Sequence, residues 1–252
     1  MSSFDPWTQN VTFYAPDGET PIQLPIPQID AFIKYLISVT VNYGTQLGAA
    51  LAMLFVILIM TPSAKLRRPS GILQVLVLVL CVIRMALLSA YFFSDFVEFY
   101  AFNTGDYSRV PAGHYGLSVA GNTFSLLLII AVEACLMHQA WAMVALWPDL
   151  VRYLLAGLSI CVALLTIGWR LTALIHQNIA ILSASSNHNN VWISKAAVIT
   201  NALSICWFCA LFNAKLVSHL VQNRGILPVG KSVTPMEVLV MTNGVLMIIP
   251  GS

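Results

Sequence analysis

The chain has 252 residues, of which 58% are hydrophobic and only 9% are charged, and its formal net charge is +2. Soluble domains carry about 25% charged residues, so this composition, with a mean hydropathy of +0.82, excludes an ordinary soluble protein. So small a net charge also gives no reason to expect a nucleic-acid partner.

Residues 1–31 form a polar tail ahead of the apolar part of the chain. Prolines recur through this tail, so it is predicted to be extended or turn-rich rather than helical. It lacks the apolar core of a cleavable signal peptide, so the first membrane span would act as the targeting signal. Asn10 begins the only Asn-x-Ser/Thr sequon of the chain, and it is a glycosylation candidate if the tail is lumenal.

Residues 32–252 are dominated by apolar segments that are long enough to cross a bilayer. A helix needs about 20 apolar residues to cross the hydrocarbon, and helices are the default because lipid offers the backbone no hydrogen-bond partners. The predicted fold is therefore an all-α polytopic bundle, with spans at about 38–60, 72–93, 117–147, 150–176, 195–221 and 236–252.

The sixth predicted span, 236–252, is shorter than the others. About 15 residues rise only ~22 Å, against a hydrocarbon core of about 30 Å. We therefore expect the sequence to end inside a sixth helix.

The charges of the loops predict the orientation of the bundle. The first loop, 61–70, carries three basic residues and no acid, whereas the second, about 93–115, carries three acids and one arginine. Because short cytoplasmic loops are enriched in Lys and Arg, the odd-numbered loops are predicted to be cytoplasmic and the N-terminus extracellular.

The ionisable side chains of interest within the predicted spans are Arg84, Glu133, His138 and Arg170. Intramembrane charges are functional candidates by default, although the two arginines could also extend to the interface or pair with a neighbouring helix. Glu133 and His138 lie about 140° apart around a helix, so they do not form a metal pair. No metal site, cofactor site or catalytic motif is recognisable, and an enzyme is not predicted.

Small and amide side chains within the spans each allow two interpretations. Asn122, Gln139 and Asn201 would either bond to other helices or contact a ligand. Gly44 and Gly48 form a small-xxx-small pair, whose flat strip would pack inside the bundle or against a second copy of the chain.

The second loop, about 93–115, is long and rich in aromatic residues. Loops of this length are uncommon in compact bundles unless they are functional or disordered. Together with the aromatic, proline-rich tail, this loop would form an outer surface suited to a peptide rather than to an ion.

A series of short segments occurs in the same order as in one known family. These segments are Tyr43–Leu51, the basic loop that ends at Pro69, Leu73–Val75, Gly121–Thr123, Val132–Ala134 with Gln139, Lys215–Leu216 and Arg224–Leu227. In these segments the chain resembles the fungal α-factor-type mating pheromone receptors, which are seven-helix G-protein-coupled receptors, and the similarity is collinear from about Phe32 onward.

The resemblance implies a multi-pass receptor of the plasma membrane that binds a secreted, lipid-free peptide pheromone and couples to a heterotrimeric G protein. It also implies that this sequence is a fragment, in which helix seven and the cytoplasmic tail of such a receptor are missing. Carried over by position, Gln46, Asn122 and Asn201 would contact the peptide. Gly44 and Gly48 would lie at a homodimer contact.

The resemblance also assigns residues away from the peptide. Arg84, Glu133 and Gln139 would belong to an internal polar network. Lys215, Arg224 and Lys231 would face the G protein.

Another class of function remains open from the sequence, which is a six-helix transporter or channel. A transporter of that kind is expected to show inverted repeats and interrupted helices, and a channel a polar pore segment. Neither pattern is visible in the sequence. A purely structural membrane scaffold has no sequence pattern of its own, so the spans alone do not exclude it.

Overall fold

The computed structural model describes residues 5, 7, 9–144, 148–182 and 191–222. These residues form a β-hairpin followed by a bundle of long helices. The elements, in chain order, are β1 (Asn10–Tyr14), β2 (Pro21–Pro25), α1 (Ile26–Met60), α2 (Ser63–Leu66), α3 (Pro69–Tyr91), a 3-10 turn (Asp95–Val97), α4 (Phe99–Thr104), α5 (Ala112–Val144), α6 (Asp149–Leu182) and α7 (Val191–Gln222).

Five of the helices are long and apolar enough to cross a membrane, namely α1, α3, α5, α6 and the Trp192–Lys215 part of α7. The prediction of an all-α polytopic bundle is therefore confirmed over the described residues, with the small hairpin as an addition to it. The predicted sixth span, 236–252, lies outside the described residues.

The helices extend beyond the predicted spans. Helix α1 begins at Ile26, well before the predicted start at about 38, because Pro27 falls in its first turn. Proline is tolerated there, since the first N–H groups of a helix have no intrahelical acceptor. Helix α6 continues to Leu182, past the predicted end at about 176.

The hairpin is an antiparallel pair in which Asn10 lies opposite Pro25 and Tyr14 opposite Pro21. Gly18 takes a left-handed backbone conformation in its turn, with φ of 74°. The Asp17 carboxylate accepts hydrogen bonds from the Thr20 side chain, then from the Thr20 and Glu19 backbone, which lowers its pKa below the usual value.

The hairpin docks on the connection between α3 and α5. The Tyr100 hydroxyl donates to the Tyr14 carbonyl over 3.1 Å, and the rings of Phe13 and Phe99 pack edge to face with centroids 5.7 Å apart. This end of the bundle is called the hairpin end below, and the opposite end, where α2 lies, the α2 end.

Helix α5 is the centre of the described bundle and packs against α3, α6 and α7, while α1 packs against α3. The buried side of α5 carries mostly small residues, among them Gly121, Ser125 and Ala131. Small residues let helices approach closely in lipid, where apolar burial gives no drive for association. The large apolar side chains mostly point outward, as a lipid-facing surface requires.

Candidate ligand-binding cavity

A cavity of about 530 Å³ lies between α1, α3, α5 and α6 at the hairpin end. Its volume is within the range of small-molecule and cofactor sites. The wall is mostly apolar and a third of its residues are aromatic, with rings from Tyr35, Tyr43, Tyr91, Phe92, Phe96 and Phe102. Such a wall favours a ligand that buries apolar or aromatic groups.

Three polar side chains on one side of the cavity can bond a ligand. The Asn122 amide lines the cavity and donates to Asn178 Oδ1 over 3.1 Å, which links α5 to α6. Gln177 and Ser118 also line it. The Ser118 hydroxyl is buried and has no hydrogen-bond partner among the described residues.

An aromatic cluster covers the approach to the cavity. Phe32, at the start of α1, contacts the ring of Phe99 and that of Phe102, with a centroid distance of 4.7 Å to Phe102. Phe102 lines the cavity, while Phe99 contacts Phe13 of the hairpin. The hairpin, α4 and the first turns of α1 therefore form one surface next to the cavity.

The rim beside this surface is negatively charged. A second concavity, of about 440 Å³, is lined by Asp95, Glu98 and Asp106, with Arg109 as the one cation in its lining. Hydrogen bonds from Ser108, first from its side chain and then from its backbone, lower the pKa of Asp106 below the usual value. The carboxylate of Asp106 is therefore ionised at neutral pH.

Two arginines lie deeper in the bundle, beneath the cavity. Arg84 Nε donates to the Ser125 hydroxyl over 2.7 Å, and that hydroxyl donates to the Gly121 carbonyl over 2.8 Å. Gly121 itself lines the cavity. Arg170 of α6 is close enough to Arg84 for their guanidinium groups to interact electrostatically.

Glu133 lies deeper still and is only 2% exposed. Its Oε1 accepts a hydrogen bond of 2.7 Å from the Ser204 hydroxyl of α7. Its Oε2 has no hydrogen-bond partner among the described residues. The α5–α7 contact at this level therefore depends on a single side-chain hydrogen bond to a buried carboxyl group.

The three residues predicted to contact a peptide lie in different surroundings. Asn122 lines the cavity, whereas Gln46 is exposed on α1 and donates to Asn42 Oδ1 of the same helix over 3.1 Å. Asn201 is partly buried on α7 and is not part of the cavity lining. The structure thus brings only Asn122 to the cavity, and peptide contact of all three stays a prediction.

The members of the predicted polar network do not form one cluster. Arg84 bonds to Ser125 and Glu133 bonds to Ser204, about two helical turns apart on α5. Gln139 is exposed, and its amide contacts only Cys135 Sγ of its own helix, at 3.6 Å.

The predicted dimer strip is open. Gly44 and Gly48 are exposed, and a Cβ added at either would meet no other atom within 4 Å. The strip therefore packs against no other described part of the chain, and the homodimer contact stays a prediction.

The remaining predicted residues lie at the two ends of the molecule. Asn10 is exposed on β1 at the hairpin end. Lys215 lies near the opposite end of α7, whereas Arg224 and Lys231 lie outside the described residues.

Sequence reasoning missed three partners of the predicted residues, Asn178, Ser125 and Ser204, and it also missed Gln177 in the cavity lining. The predicted fourth span ended at about 176, which placed both α6 amides in a loop. The apolar residues that resume after them, Ile179–Leu182, are the signal that would have kept them on the helix. The two serines carry no pattern of their own, since serine is common on packed membrane helices.

The chain was compared with known protein families and with curated proteins. The model of the family described as fungal pheromone mating factor STE2 GPCR matches residues 4–252, which is nearly the whole chain. No curated protein matches the chain significantly.

Proposed function

The chain belongs to the fungal pheromone mating factor STE2 family of G-protein-coupled receptors, and we propose that its cavity at the hairpin end binds a secreted, lipid-free peptide pheromone. This family is a receptor family rather than an enzyme family, and its members are multi-pass proteins of the plasma membrane. The family match also favours a receptor over a six-helix transporter or channel.

The observation that carries the proposal is the combination of aromatic rings with amide and hydroxyl groups in the lining of one cavity. Asn122 and Gln177 each offer both donors and an acceptor, and Ser118 adds a hydroxyl without a partner among the described residues. A peptide matches both features of this lining. Its backbone donates and accepts hydrogen bonds, and its apolar side chains can be buried against the aromatic rings. The neighbouring aromatic surface extends the contact area beyond the cavity.

The proposal includes an extracellular hairpin end. The α2 end carries Lys65, Arg67 and Arg68, and short cytoplasmic loops are enriched in such residues. The hairpin end carries Asp95, Glu98 and other acids instead. With this orientation the cavity opens toward the side from which a secreted peptide arrives.

The proposal also includes coupling to a heterotrimeric G protein at the α2 end. Lys215 is near the end of α7 on that side, and the basic segment with Arg224 and Lys231 follows it. Rearrangement of α7 relative to α5 would change this surface, since the two helices are joined by the Glu133–Ser204 bond.

The proposed function is tested in fungal cells that lack their own pheromone receptor and carry a reporter for G-protein signalling. The probes are synthetic peptides that correspond to the pheromone precursors encoded in the same genome as the receptor. We expect a dose-dependent response that requires both the receptor and the Gα subunit. A receptor at the cell surface that answers none of these peptides, and instead passes a solute or an ion current, would contradict the proposal.

A further inference from the structure

The two strands of the hairpin alternate between pairs that are hydrogen-bonded to each other and pairs that are not, as antiparallel strands do. The Ile26 N–H donates to the Gln9 carbonyl over 3.1 Å, and the Ala15 N–H donates to the Thr20 carbonyl over 2.9 Å. These two bonds fix the phase of the ladder, because every second pair between them is bonded in the same way. The pairs that are not bonded across the hairpin are therefore Asn10 with Pro25, Thr12 with Gln23, and Tyr14 with Pro21.

The outer edge of β2 is blocked by proline. In a pair that is not bonded across the ladder, the N–H and C=O groups of both residues point away from the partner strand. The outward residues of β2 are thus Pro21, Gln23 and Pro25. Proline has no N–H, so Gln23 is the one outward donor of this strand. Prolines on an edge prevent the pairing of a further strand, and the β2 edge is therefore closed to one.

The outer edge of β1 keeps all of its backbone groups. Asn10, Thr12 and Tyr14 each direct an N–H and a C=O outward, and all three residues are exposed. The Tyr14 carbonyl accepts from the Tyr100 hydroxyl over 3.1 Å, which shows that a donor can reach this edge from the side of α4. The outward backbone groups of Asn10 and Thr12 have no hydrogen-bond partner among the described residues.

The β1 edge lies beside the proposed binding cavity. Phe13 packs against the rings of Phe99 and Tyr100 on α4, and Phe102 of the same short helix lines the cavity. Pro16 and Tyr100, at the end of the edge, line the second concavity of about 440 Å³. Side chains of a strand added to β1 therefore have room at this end.

The cavity is too small to hold a whole peptide of more than a few residues. Its volume of about 530 Å³ is that of a site for a drug-sized molecule. The rest of a longer peptide lies outside, next to α4 and the hairpin. An exposed strand edge suits an extended peptide, because main-chain hydrogen bonds supply affinity in β-strand addition.

We propose that the outer edge of β1, at Asn10 and Thr12, binds an extended segment of the peptide ligand as a third strand. The inference rests on the proposed function, because it assigns the part of the same ligand that lies outside the cavity. Every second residue of this segment directs its N–H and C=O groups to β1. A glycan on Asn10 leaves the edge open, since the side chains of Asn10 and Thr12 lie on the face of the hairpin opposite to Phe13.

The experiment compares each active synthetic peptide with analogues that each carry one N-methylated backbone amide. N-methylation removes one donor and places a methyl group where two paired strands must approach closely. Equilibrium binding to receptor in membranes gives the affinity ratio of parent to analogue, which does not depend on the amount of receptor. Within the paired segment we expect losses of roughly 3- to 10-fold at alternate residues, with little change at the residues between them.

The receptor variants separate the edge from the rest of the hairpin. Thr12→Pro removes an outward donor of β1 and is expected to bring the alternate ratios close to one. Gln23→Pro is the matched control, because it removes the outward donor directly opposite on β2, and it keeps the alternate losses. Thr12→Ala retains the N–H but removes the Asn10 sequon, so it also keeps them. Asn10→Pro removes the other outward donor of β1 and is expected to act as Thr12→Pro does, including where Thr12→Pro reaches the surface poorly.

Each other outcome argues against the added strand. If the wild-type receptor shows no alternate losses, the peptide does not pair with β1, while the peptide receptor stands. Losses that persist in both Thr12→Pro and Asn10→Pro place the paired segment elsewhere. If Gln23→Pro or Thr12→Ala abolishes them too, the packing of the hairpin or the glycan is responsible rather than the edge. If Thr12→Pro leaves the losses intact and instead lowers crosslinking between two differently tagged receptors, the edge joins two copies of the chain. A receptor that binds no peptide contradicts the proposed function itself.

Discussion

Among the three residues that the sequence predicts to contact the peptide, Asn122 is the one that lines the cavity. The family resemblance assigns it to the peptide pocket, and the structure places its amide in the cavity lining with Asn178 as its partner. The sequence could not identify that partner, because hydrogen bonding between helices depends on their rotation and relative depth, which no local pattern encodes.

The first prediction concerns Asn122→Ala. The change removes a cavity amide and leaves Asn178 Oδ1 without its donor, which costs about 1–3 kcal/mol. We expect peptide potency to fall roughly 5- to 150-fold at equal surface level. The measurement is peptide binding and dose–response, normalised to receptor at the surface.

Thr123→Ala is the control for this prediction. Thr123 is the next residue on α5, is exposed, and bonds only to the Val119 carbonyl of its own helix. Its replacement is expected to leave potency unchanged. If Asn122→Ala binds as the wild type does, the residue serves only as a link between α5 and α6.

Glu133 is buried and Gln139 is exposed, although the resemblance assigns both to one internal polar network. Glu133→Ala would leave the buried Ser204 hydroxyl unpaired, open a cavity and separate α5 from α7. We expect a clear loss of surface receptor, and a smaller one for Ser204→Ala. Quantitative surface labelling at matched transcript level measures both.

Gln139→Ala is the comparison, because Gln139 is exposed and contacts only its own helix. It is expected to reach the surface as the wild type does. A loss for Gln139→Ala as large as that for Glu133→Ala would show that Gln139 bonds to a part of the chain outside the described residues.

At the scale of the elements, apolar length was enough to locate the five described helices, because a lipid-exposed helix must be apolar on every side that meets lipid. The helix ends were less predictable. The prolines of residues 1–31 predict an extended tail, yet Pro27 falls in the first turn of α1, where its missing N–H breaks no helical hydrogen bond. The predicted fourth span ends at about 176, yet α6 continues to Leu182 and its last turns line part of the cavity.

The hairpin provides the prediction at this scale. Asn10 is exposed on β1, at the end of the bundle that we propose to be extracellular. We expect the expressed receptor to be glycosylated there, because its side chain is open to the glycosylation machinery before and after folding. A glycosidase-sensitive mobility shift that is absent from Asn10→Gln is the expected result.

Two outcomes would count against this arrangement. A shift that persists in Asn10→Gln would place the glycan elsewhere. Cleavage of the hairpin by a protease added to the cytosolic side of sealed membranes would reverse the orientation of the whole bundle.

At the scale of the molecule, ligand and G protein are proposed to act at opposite ends. Neutralising Arg224 and Lys231 together is therefore expected to weaken G-protein activation several-fold while peptide affinity changes little. The two are measured on the same membranes, by nucleotide exchange on the G protein and by equilibrium peptide binding. Peptide affinity that falls as much as activation would mean that this segment is not the coupling surface.

The proposal that the cavity at the hairpin end is the peptide site is tested most directly by photo-crosslinking. An active synthetic peptide with a photoreactive group is bound to receptor in membranes, irradiated with and without excess unlabelled peptide, and the crosslinked receptor fragments are identified by mass spectrometry. The account predicts competed crosslinks in the parts of α3 and α5 that line the cavity, around Leu88 and Ser118. Competed crosslinks confined to the α2 end, around Lys65, would contradict it.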